Sequence, residues 1–256
     1  MKLKWLGTAS LLFEIEDKKI LFDPFYSRNK NIKIDYSDFL NSDYIFITHP
    51  HFDHLCDVSK IVQNSNAVVY GTKTTINHLK TYQFNEKRLN LINYQDKITI
   101  GKISIIAHKS KHIKTNLGKI IKTMFDYRVF TKLKNFIWIL KTHKKFPMNN
   151  EIVAYEIRYK NKNILIFGSG NIDKNIDYPK NVDLLIFAYQ GRTNLASYTI
   201  KILKKLQPKN ILLNHFDDTF PPITSQINPK RLYSLIKKEN LNTGIKELNY
   251  ENELEI

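Results

Sequence analysis

One short motif constrains this chain more than any other feature: the residues HPHFDH at positions 49–54. They follow an apolar run at 44–47 that predicts a buried strand, so the motif falls in a loop at a strand end. A lone histidine in such a loop indicates an ordinary polar contact. Three histidines and an aspartate within six residues indicate a metal site, because imidazole and carboxylate groups are the usual zinc ligands.

The spacing inside the motif predicts two metal positions. In a tight loop after a strand, His49 and His51 can point to one ion, while Asp53 and His54 turn toward a second position nearby. The only cysteine, Cys56, cannot form an internal disulfide or a cysteine-based zinc site, which fits a reducing cytoplasm.

Hydrophobic patterning around the motif predicts a β-rich chain with interspersed helices. Residues 11–25 contain two apolar runs on either side of a polar turn. This pattern predicts a β-hairpin that ends at Asp23-Pro24. Helices are expected at 57–62, 74–80 and 195–206, and further strands at 67–72, 97–107, 152–168, 182–188 and 210–215. This order predicts an α/β architecture of two packed sheets with helices outside, in a single domain over residues 1–256.

The charge of the chain is strongly positive, with 40 Lys and Arg against 24 Asp and Glu. Nucleic acid, anionic lipid and an acidic metabolite are therefore candidate partners. We expect no nucleic-acid partner, because the chain has no recognisable RNA-binding motif and no separate basic tail. The N-terminal apolar stretch is broken early by Glu14, and no apolar run is long enough to span a bilayer, so we expect a cytoplasmic protein.

One segment has no strand pattern and contains a large share of the positive charge of the chain. Between Lys109 and Lys145, eleven Lys and Arg accompany one acid, Asp126. Apolar residues recur there at helical spacing, without Gly or Pro over 119–146: Ile121, Phe125, Val129, Leu133 and Ile137, widened by Phe136 and Leu140. We predict a basic amphipathic helical insertion at about 113–146. Its stripe packs on the core of the protein, folds over the site as a lid, or lies, over 119–140, on an anionic membrane surface or in an oligomer contact. The core packing is the most common use of such a stripe.

The motif and its surroundings resemble the metallo-β-lactamase fold, a four-layer αββα sandwich. The order His-x-His-x-Asp-His after a strand is its signature. The opening hairpin is similar to that of the branch that contains bacterial ascorbate-phosphate lactonases, with Asp23 at the position of a structural aspartate. The resemblance implies one further histidine at each metal. His215, after a late strand, matches one of them. His108 and His112 are both candidates for the other, and the Ser-x-His ending of the strand favours His112.

Two zinc ions are implied by the resemblance, with manganese and iron as alternatives. Where the superfamily commonly has an aspartate that bridges both metals, this chain has Ser169. A neutral hydroxyl cannot replace the charge of that bridge, so we expect the second ion to bind less tightly. One lactamase subclass with serine there still holds two zinc ions. The implied ligands are His49, His51 and His112 for one ion and Asp53, His54 and His215 for the other.

The implied activity is metal-dependent hydrolysis. The substrate would be an ester, lactone or phosphodiester of a small or medium acidic molecule, attacked by a hydroxide that Asp53 orients. A membrane-associated lipid phosphodiesterase, similar to the phospholipase D that acts on N-acyl-ethanolamine phospholipids, is a second hypothesis. A nucleic-acid-binding or nucleic-acid-processing protein is a third.

Several further polar residues are expected to support the metal ligands or to contact substrate: Asp23, His108, Ser169, Tyr189, Arg192, Asp217 and Asp218. Arg192 can pair with a phosphate or carboxylate, or it can form a surface salt bridge. Asp217 and Asp218 can accept the N–H of a ligand imidazole, or they can cap their own loop.

Overall fold

The computed structural model describes residues 1–82, 85–113, 125–147, 149–250 and 252–256. Within those ranges, fourteen strands form two seven-stranded sheets. The first sheet contains β1 (Lys2–Trp5), β2 (Leu11–Ile15), β3 (Lys18–Phe22), β4 (Tyr44–Phe46), β5 (Val68–Gly71), β6 (Leu89–Leu91) and β14 (Glu253–Glu255). The second contains β7 (Lys97–Ile100), β8 (Ile103–Lys109), β9 (Val153–Tyr159), β10 (Lys162–Phe167), β11 (Leu184–Ala188), β12 (Asn210–Asn214) and β13 (Gly244–Lys246).

Both sheets are half antiparallel and half parallel. The strand order of the first is β14-β1-β2-β3-β4-β5-β6, and its strands are parallel from β3 onward. The order of the second is β13-β12-β11-β10-β9-β8-β7, and its strands are parallel from β10 to β13. The hairpin expected at 11–25 is therefore present as β2 and β3.

Helices cover the outer faces of the two sheets. The helices of the described ranges are α1 (Ser37–Leu40), α2 (Phe52–Leu55), α3 (Val58–Gln63), α4 (Lys73–Leu79), α5 (Arg128–Thr131), α6 (Leu133–His143), α7 (Leu195–Leu206) and α8 (Lys230–Lys238). A short 3₁₀ turn spans Glu86–Arg88. None of the described helices has both the length and the hydropathy to cross a bilayer.

Three apolar clusters define the layers. The central cluster lies between the sheets and joins side chains of both, among them Phe13 and Phe22 from the first and Tyr155 and Ile186 from the second. A second cluster packs α7 and α8 on the outside of the second sheet. The third packs α2 and α3 on the outside of the first. The four-layer αββα sandwich is confirmed.

The basic insertion only partly matches its prediction. Its described part forms α5 and α6, whereas Ile121 and the start of the segment lie outside the described residues. The face that α6 buries carries Ile139, which joins the cluster outside the first sheet. Leu133 and Ile137, two residues of the predicted apolar stripe, are exposed. The structure thus buries Ile139, which lies beside the stripe, and leaves these two stripe residues open to solvent.

Candidate metal centre

The predicted ligands lie at one edge of both sheets, where strands end. Because β3 and β4 are parallel, Asp23 and the loop after β4 leave the first sheet side by side. In the second sheet, β8 runs in the same direction as β10 and β12, since two antiparallel pairings separate β8 from β10. Gly168 follows β10, His215 follows β12, and His112 comes shortly after β8. The carboxyl ends of parallel strands meet at one edge and form a natural site there.

Two groups of three ligand-type side chains lie next to each other at this edge. Within each group, one ligand atom of every side chain lies within 4.8 Å of the others. The rings of His49 and His54, which belong to different groups, have centroids 3.9 Å apart. The groups are His49, His51 and His112, and Asp53, His54 and His215.

A hydroxyl group fixes the orientation of the His49 ring. Thr48 Oγ1 donates its hydrogen to Asp23 Oδ2 at 2.6 Å and lies 2.9 Å from His49 Nδ1. Since the hydroxyl has only one hydrogen, Nδ1 must carry the proton and donate to Oγ1. Nε2 then keeps its lone pair. That atom is buried and has no hydrogen-bond partner among the described residues.

The His112 ring is held by a hydrogen bond, and the His54 ring lies at ion-pair distance from a carboxylate. His112 Nδ1 lies 2.7 Å from the carbonyl oxygen of Ile113, which can only accept, so Nδ1 carries the proton. His54 Nδ1 lies 2.9 Å from Asp23 Oδ2. A metal-binding imidazole usually donates its other N–H to such an acceptor. Three imidazoles therefore present Nε2 toward the two groups, and the residues present fit metal ions.

Burial favours the neutral, metal-binding form of the first group. Removal from water lowers the pKa of His51 to about 3, and it lowers the pKa of His49 and His112 below their usual value. Neighbouring imidazoles add to the effect. Neutral imidazole is the form that coordinates a metal, so these three side chains need not lose a proton to bind one near neutral pH.

Asp53 is the ionised acid of the second group. Burial opposes its charge, but His54 and the hydrogen bond to His215 hold the pKa of Asp53 well below its usual range. Asp53 Oδ2 lies 3.1 Å from His215 Nε2 and 3.7 Å from His54 Nε2. The His54 pKa is raised, because the carboxylates of Asp23 and Asp53 outweigh the effect of burial.

Comparison with known proteins agrees with this architecture. Residues 3–121 match the family model of the metallo-beta-lactamase superfamily. The chain aligns over its whole length with Igni18, a metallo hydrolase from the archaeon Ignicoccus hospitalis, at a TM-score of 0.68, covering 98% of that protein at 16% identity. This is the metallo-β-lactamase fold. The predicted resemblance to this fold is confirmed, and the similarity to the lactonase branch stays a prediction.

Two curated relatives match a shorter part of the chain. A UPF0173 metal-dependent hydrolase of Flavobacterium johnsoniae is 36% identical over 90 residues, which are 35% of this chain and 40% of that protein. Another, of Carboxydothermus hydrogenoformans, is 44% identical over 79 residues, or 31% and 34% of the two chains. The chain thus matches well under half the length of either relative.

A cavity of about 580 Å³ opens onto the two groups at this edge of the metallo-β-lactamase fold. Its described lining contains all six side chains of the two groups and, among polar residues outside them, Ser169, Gln190 and Thr224. No Lys or Arg belongs to that described lining. The remaining wall is mainly apolar and includes Phe52, Ile113, Val129, Phe136, Phe220 and Ile223.

Gly168 and Ser169 follow β10, and the resemblance assigns the position of a bridging aspartate to Ser169. A Cβ on Gly168 would lie 2.4 Å from Thr48 Oγ1 and 2.6 Å from Asp23 Oδ2, so no side chain fits there. Ser169 Oγ accepts a hydrogen bond from the backbone N–H of Ile113 at 3.2 Å. The serine thus supports the backbone directly after His112.

His108 lies apart from both groups, and the structure brings His112 to the first group. His108 Nε2 is 2.8 Å from Glu156 Oε2. Glu156 is fully buried, and it also accepts hydrogen bonds from Arg158 and Asn163. Burial opposes its charge, but these donors lower the pKa of Glu156 to about 2. The predicted role of His108 beside the ligands has no contact to support it.

Tyr189 and Arg192, predicted to contact substrate, are absent from the described lining of the cavity. Tyr189 is buried in the cluster under α7, where burial raises its pKa to about 12. The Arg192 guanidinium carbon lies 4.4 Å from the centroid of the Tyr198 ring. Arg192 therefore stacks on an aromatic ring, which is neither of the two contacts proposed for it.

Asp217 and Asp218 contact groups other than the ligand imidazoles. Asp217 accepts hydrogen bonds from the backbone N–H of Thr8 and from the Tyr250 hydroxyl, both at 2.8 Å. Asp218 lies 3.3 Å from the Arg128 guanidinium and accepts from Thr224 Oγ1. The expected hydrogen bonds to ligand rings are not among the contacts of the described residues, and His215 Nδ1 has no partner within them.

Sequence reasoning missed Thr48 and the apolar wall. Thr48 immediately precedes His49, and a hydroxyl next to a ligand histidine was the available signal. The wall combines α2, α5, α6 and the segment after β12. Such distant segments share no local pattern that the sequence could reveal.

Proposed function

We propose that the chain is a metal-dependent hydrolase that binds two metal ions, zinc in the first place and manganese or iron as alternatives. This proposal rests on the orientation of three imidazoles, whose Nδ1 atoms lie within 2.9 Å of Thr48 Oγ1, Asp23 Oδ2 and the Ile113 carbonyl oxygen. Nitrogen and oxygen ligands without sulfur suit all three metals. The names of the two curated relatives support the same class of activity.

His49, His51 and His112 would hold one ion, and Asp53, His54 and His215 the other. Bound metal ions would lower the pKa of a coordinated water and polarise the bond under attack. Asp53 would accept a hydrogen bond from the attacking water and orient it, since its carboxylate is ionised and lines the cavity. Within the fold, Thr48 and Asp23 keep the imidazoles aligned for this step.

The cavity favours a substrate with an apolar portion. Phe52, Phe136 and Phe220 would pack against that portion and exclude water from the reacting bond. The expectation of an acidic substrate came from the net charge, and no cation of the described lining supports it. We therefore propose an ester, lactone or phosphodiester whose reacting group lies at the ligands and whose apolar group fills the cavity.

A substrate panel with one pair of variants tests this proposal. The panel contains nitrophenyl esters and lactones of increasing alkyl length and an aryl phosphodiester, assayed with protein loaded with zinc or manganese. Activity should require metal and should rise with alkyl length. His112→Ala should lose about 100-fold or more, since even the partner of a ligand is worth 10- to 100-fold. The matched control is His108→Ala, which should stay active. Equal activity of both variants would contradict the assignment.

A lipid phosphodiesterase is the second candidate function. It is favoured by the exposed apolar side chains of the insertion, described below. Both candidates use the same ligands, and the first also includes phosphodiesters, so the lipid part of the substrate separates them. Cleavage of a phospholipid in preference to the aryl phosphodiester and every carboxylic ester would select the lipid phosphodiesterase.

A further inference from the structure

The described part of the insertion, residues 125–146, is here called the arm. It is fastened to the protein at several points. Ile139 and Phe146 are buried in the cluster outside the first sheet. Arg128 pairs with Asp218 at 3.3 Å and donates to the Pro222 carbonyl. The arm therefore has a defined inner side, and Val129 and Phe136 on that side line the cavity over the metal centre.

The outer side of the arm is apolar. Nine large hydrophobic side chains are exposed in the described residues, and seven of them lie in the arm. They are Phe125 (84% exposed), Tyr127 (73%), Phe130 (79%), Leu133 (51%), Ile137 (43%), Trp138 (37%) and Leu140 (46%). Leu133, Ile137 and Leu140 follow the spacing of one helix face. Concentrated exposure of this kind marks an interaction surface.

Cations surround this apolar side. The arm contains Lys132, Lys134, Lys141, Lys144 and Lys145. None of these five has an ion-pair partner among the described residues. Lys134 and Lys141 are seven residues apart and so lie on one flank of the exposed face of α6. The surface combines exposed aromatic rings with free positive charge.

A groove of about 620 Å³ continues the basic surface. Its described lining includes Arg28 and Lys30 from the loop after β3 and Lys132 and Lys134 from the arm, and no acidic residue. Phe130 and Leu133 line the same groove. A ligand with both an anionic group and an apolar chain would thus find cations for the first and apolar side chains for the second in the same groove.

We propose that the arm docks this protein onto an anionic phospholipid membrane. Aromatic and aliphatic side chains would enter the interface, and the lysines would contact lipid phosphates. A second copy of the chain fits less well, because a symmetric contact would bring two sets of unpaired lysines together. Nucleic acid would use the lysines and leave Leu133 and Ile137 without a role. The arm would then lie between the membrane and the cavity that its inner side lines.

Vesicle sedimentation with the full chain tests the proposal. The vesicles are phosphatidylcholine alone or phosphatidylcholine with phosphatidylglycerol, at low and high salt. The protein should sediment with the anionic vesicles at low salt, and binding should weaken as salt screens the charges. Emission of Trp138 should shift to the blue, whereas Trp5 is already buried.

Two pairs of variants separate the apolar and the electrostatic contributions. Lys134→Gln with Lys141→Gln should weaken binding about 25-fold, at roughly fivefold per lysine. Phe130→Ser with Leu133→Ser should weaken it about 100-fold, since each side chain loses an apolar partner. The matched controls are Lys237→Gln with Lys238→Gln and Leu91→Ser with Tyr94→Ser, which remove exposed residues outside the arm and should bind normally. Circular dichroism checks that each variant is folded.

Three results would overturn the proposal. One is the absence of binding to anionic vesicles at low salt. The second is binding to single-stranded RNA that depends on the lysines but not on Phe130 and Leu133, which would make the arm a nucleic-acid surface. The third is a dimer in sedimentation velocity that Phe130→Ser with Leu133→Ser dissociates, without any vesicle binding, which would make the arm a contact between two copies.

Discussion

Replacing Thr48 by valine should weaken one metal position and leave the other intact. Valine has nearly the shape of threonine, so the substitution removes the Oγ1 hydroxyl with little change in volume. Two contacts are lost, the 2.6 Å hydrogen bond to Asp23 Oδ2 and the 2.9 Å contact that holds His49 Nδ1. The backbone N–H of residue 48 still donates to Asp23 Oδ1 at 2.7 Å, so Asp23 stays in place beside His54.

The magnitude follows from these contacts. A hydrogen bond to a charged group contributes about 1.5–3 kcal/mol, so the free energy of unfolding of the metal-free protein should fall by about that amount. Loss of the hydrogen-bond partner of a ligand histidine costs about 10- to 100-fold in metal affinity. That loss should appear at His49, His51 and His112. The group of Asp53, His54 and His215 should keep its affinity.

Calorimetric zinc titration and urea unfolding measure the two effects. The matched control is Thr75→Val, which also removes a buried hydroxyl hydrogen bond, to Thr72 in front of α4, outside the metal centre. It should lower stability by about 1 kcal/mol and leave metal binding unchanged. If Thr48→Val left both affinities unchanged, or lowered both equally, the proposed orientation of His49 by Thr48 would be refuted.

Three further predictions concern other parts of the molecule. Ser169→Asp should tighten the second ion, and a chelator should strip the ions one after the other from the native protein; simultaneous release would show that the serine has little influence. Glu156→Gln should lower the free energy of unfolding at pH 7 by about 3 kcal/mol, because the Glu156 pKa is about 2 against 4.5 in water. Since a lowered carboxyl pKa stabilises the folded state above pH about 4.5, this difference should shrink as the pH falls toward 2 in parallel urea titrations; a constant difference would contradict it. Phe136→Ala should reduce kcat/KM for long-chain esters about tenfold and leave kcat/KM for the acetate ester unchanged. Phe130 points away from the cavity, so Phe130→Ala should change neither value. Equal losses on both esters would argue against a role of Phe136 in the cavity.

The sequence predicted the sheets because their strands carry strong local signals. Residues 152–168 contain two apolar runs separated by a polar turn, and they form β9 and β10. The hairpin predicted before Asp23 is present as β2 and β3. Two short strands and one helix were missed. β6 and β13 are three residues long, too short for a detectable period, whereas α8 has Leu232, Leu235 and Ile236 at helical spacing and could have been predicted.

The candidate site was predictable where residues are adjacent in sequence and not where contacts join distant elements. Residues 49–54 form one compact motif, and the strand end at Ser110 pointed to His112. Asp217 and Tyr250 meet only in the folded chain, so Asp217 was assigned to a histidine instead. The sequence also could not predict whether the apolar face of the arm contacts the protein or the solvent. Periodicity shows that such a face exists and does not show what it contacts.

Each group of ligands joins both sheets: His112 and His215 leave the second sheet, and the four others leave the first. A metal ion at either position would therefore work as a clamp across the sandwich, closing chain loops of many residues that the unfolded state would otherwise leave open. Its binding free energy would add directly to the free energy of unfolding. Metal supply would then govern how long the folded protein survives heat and proteases, in addition to whether it is active.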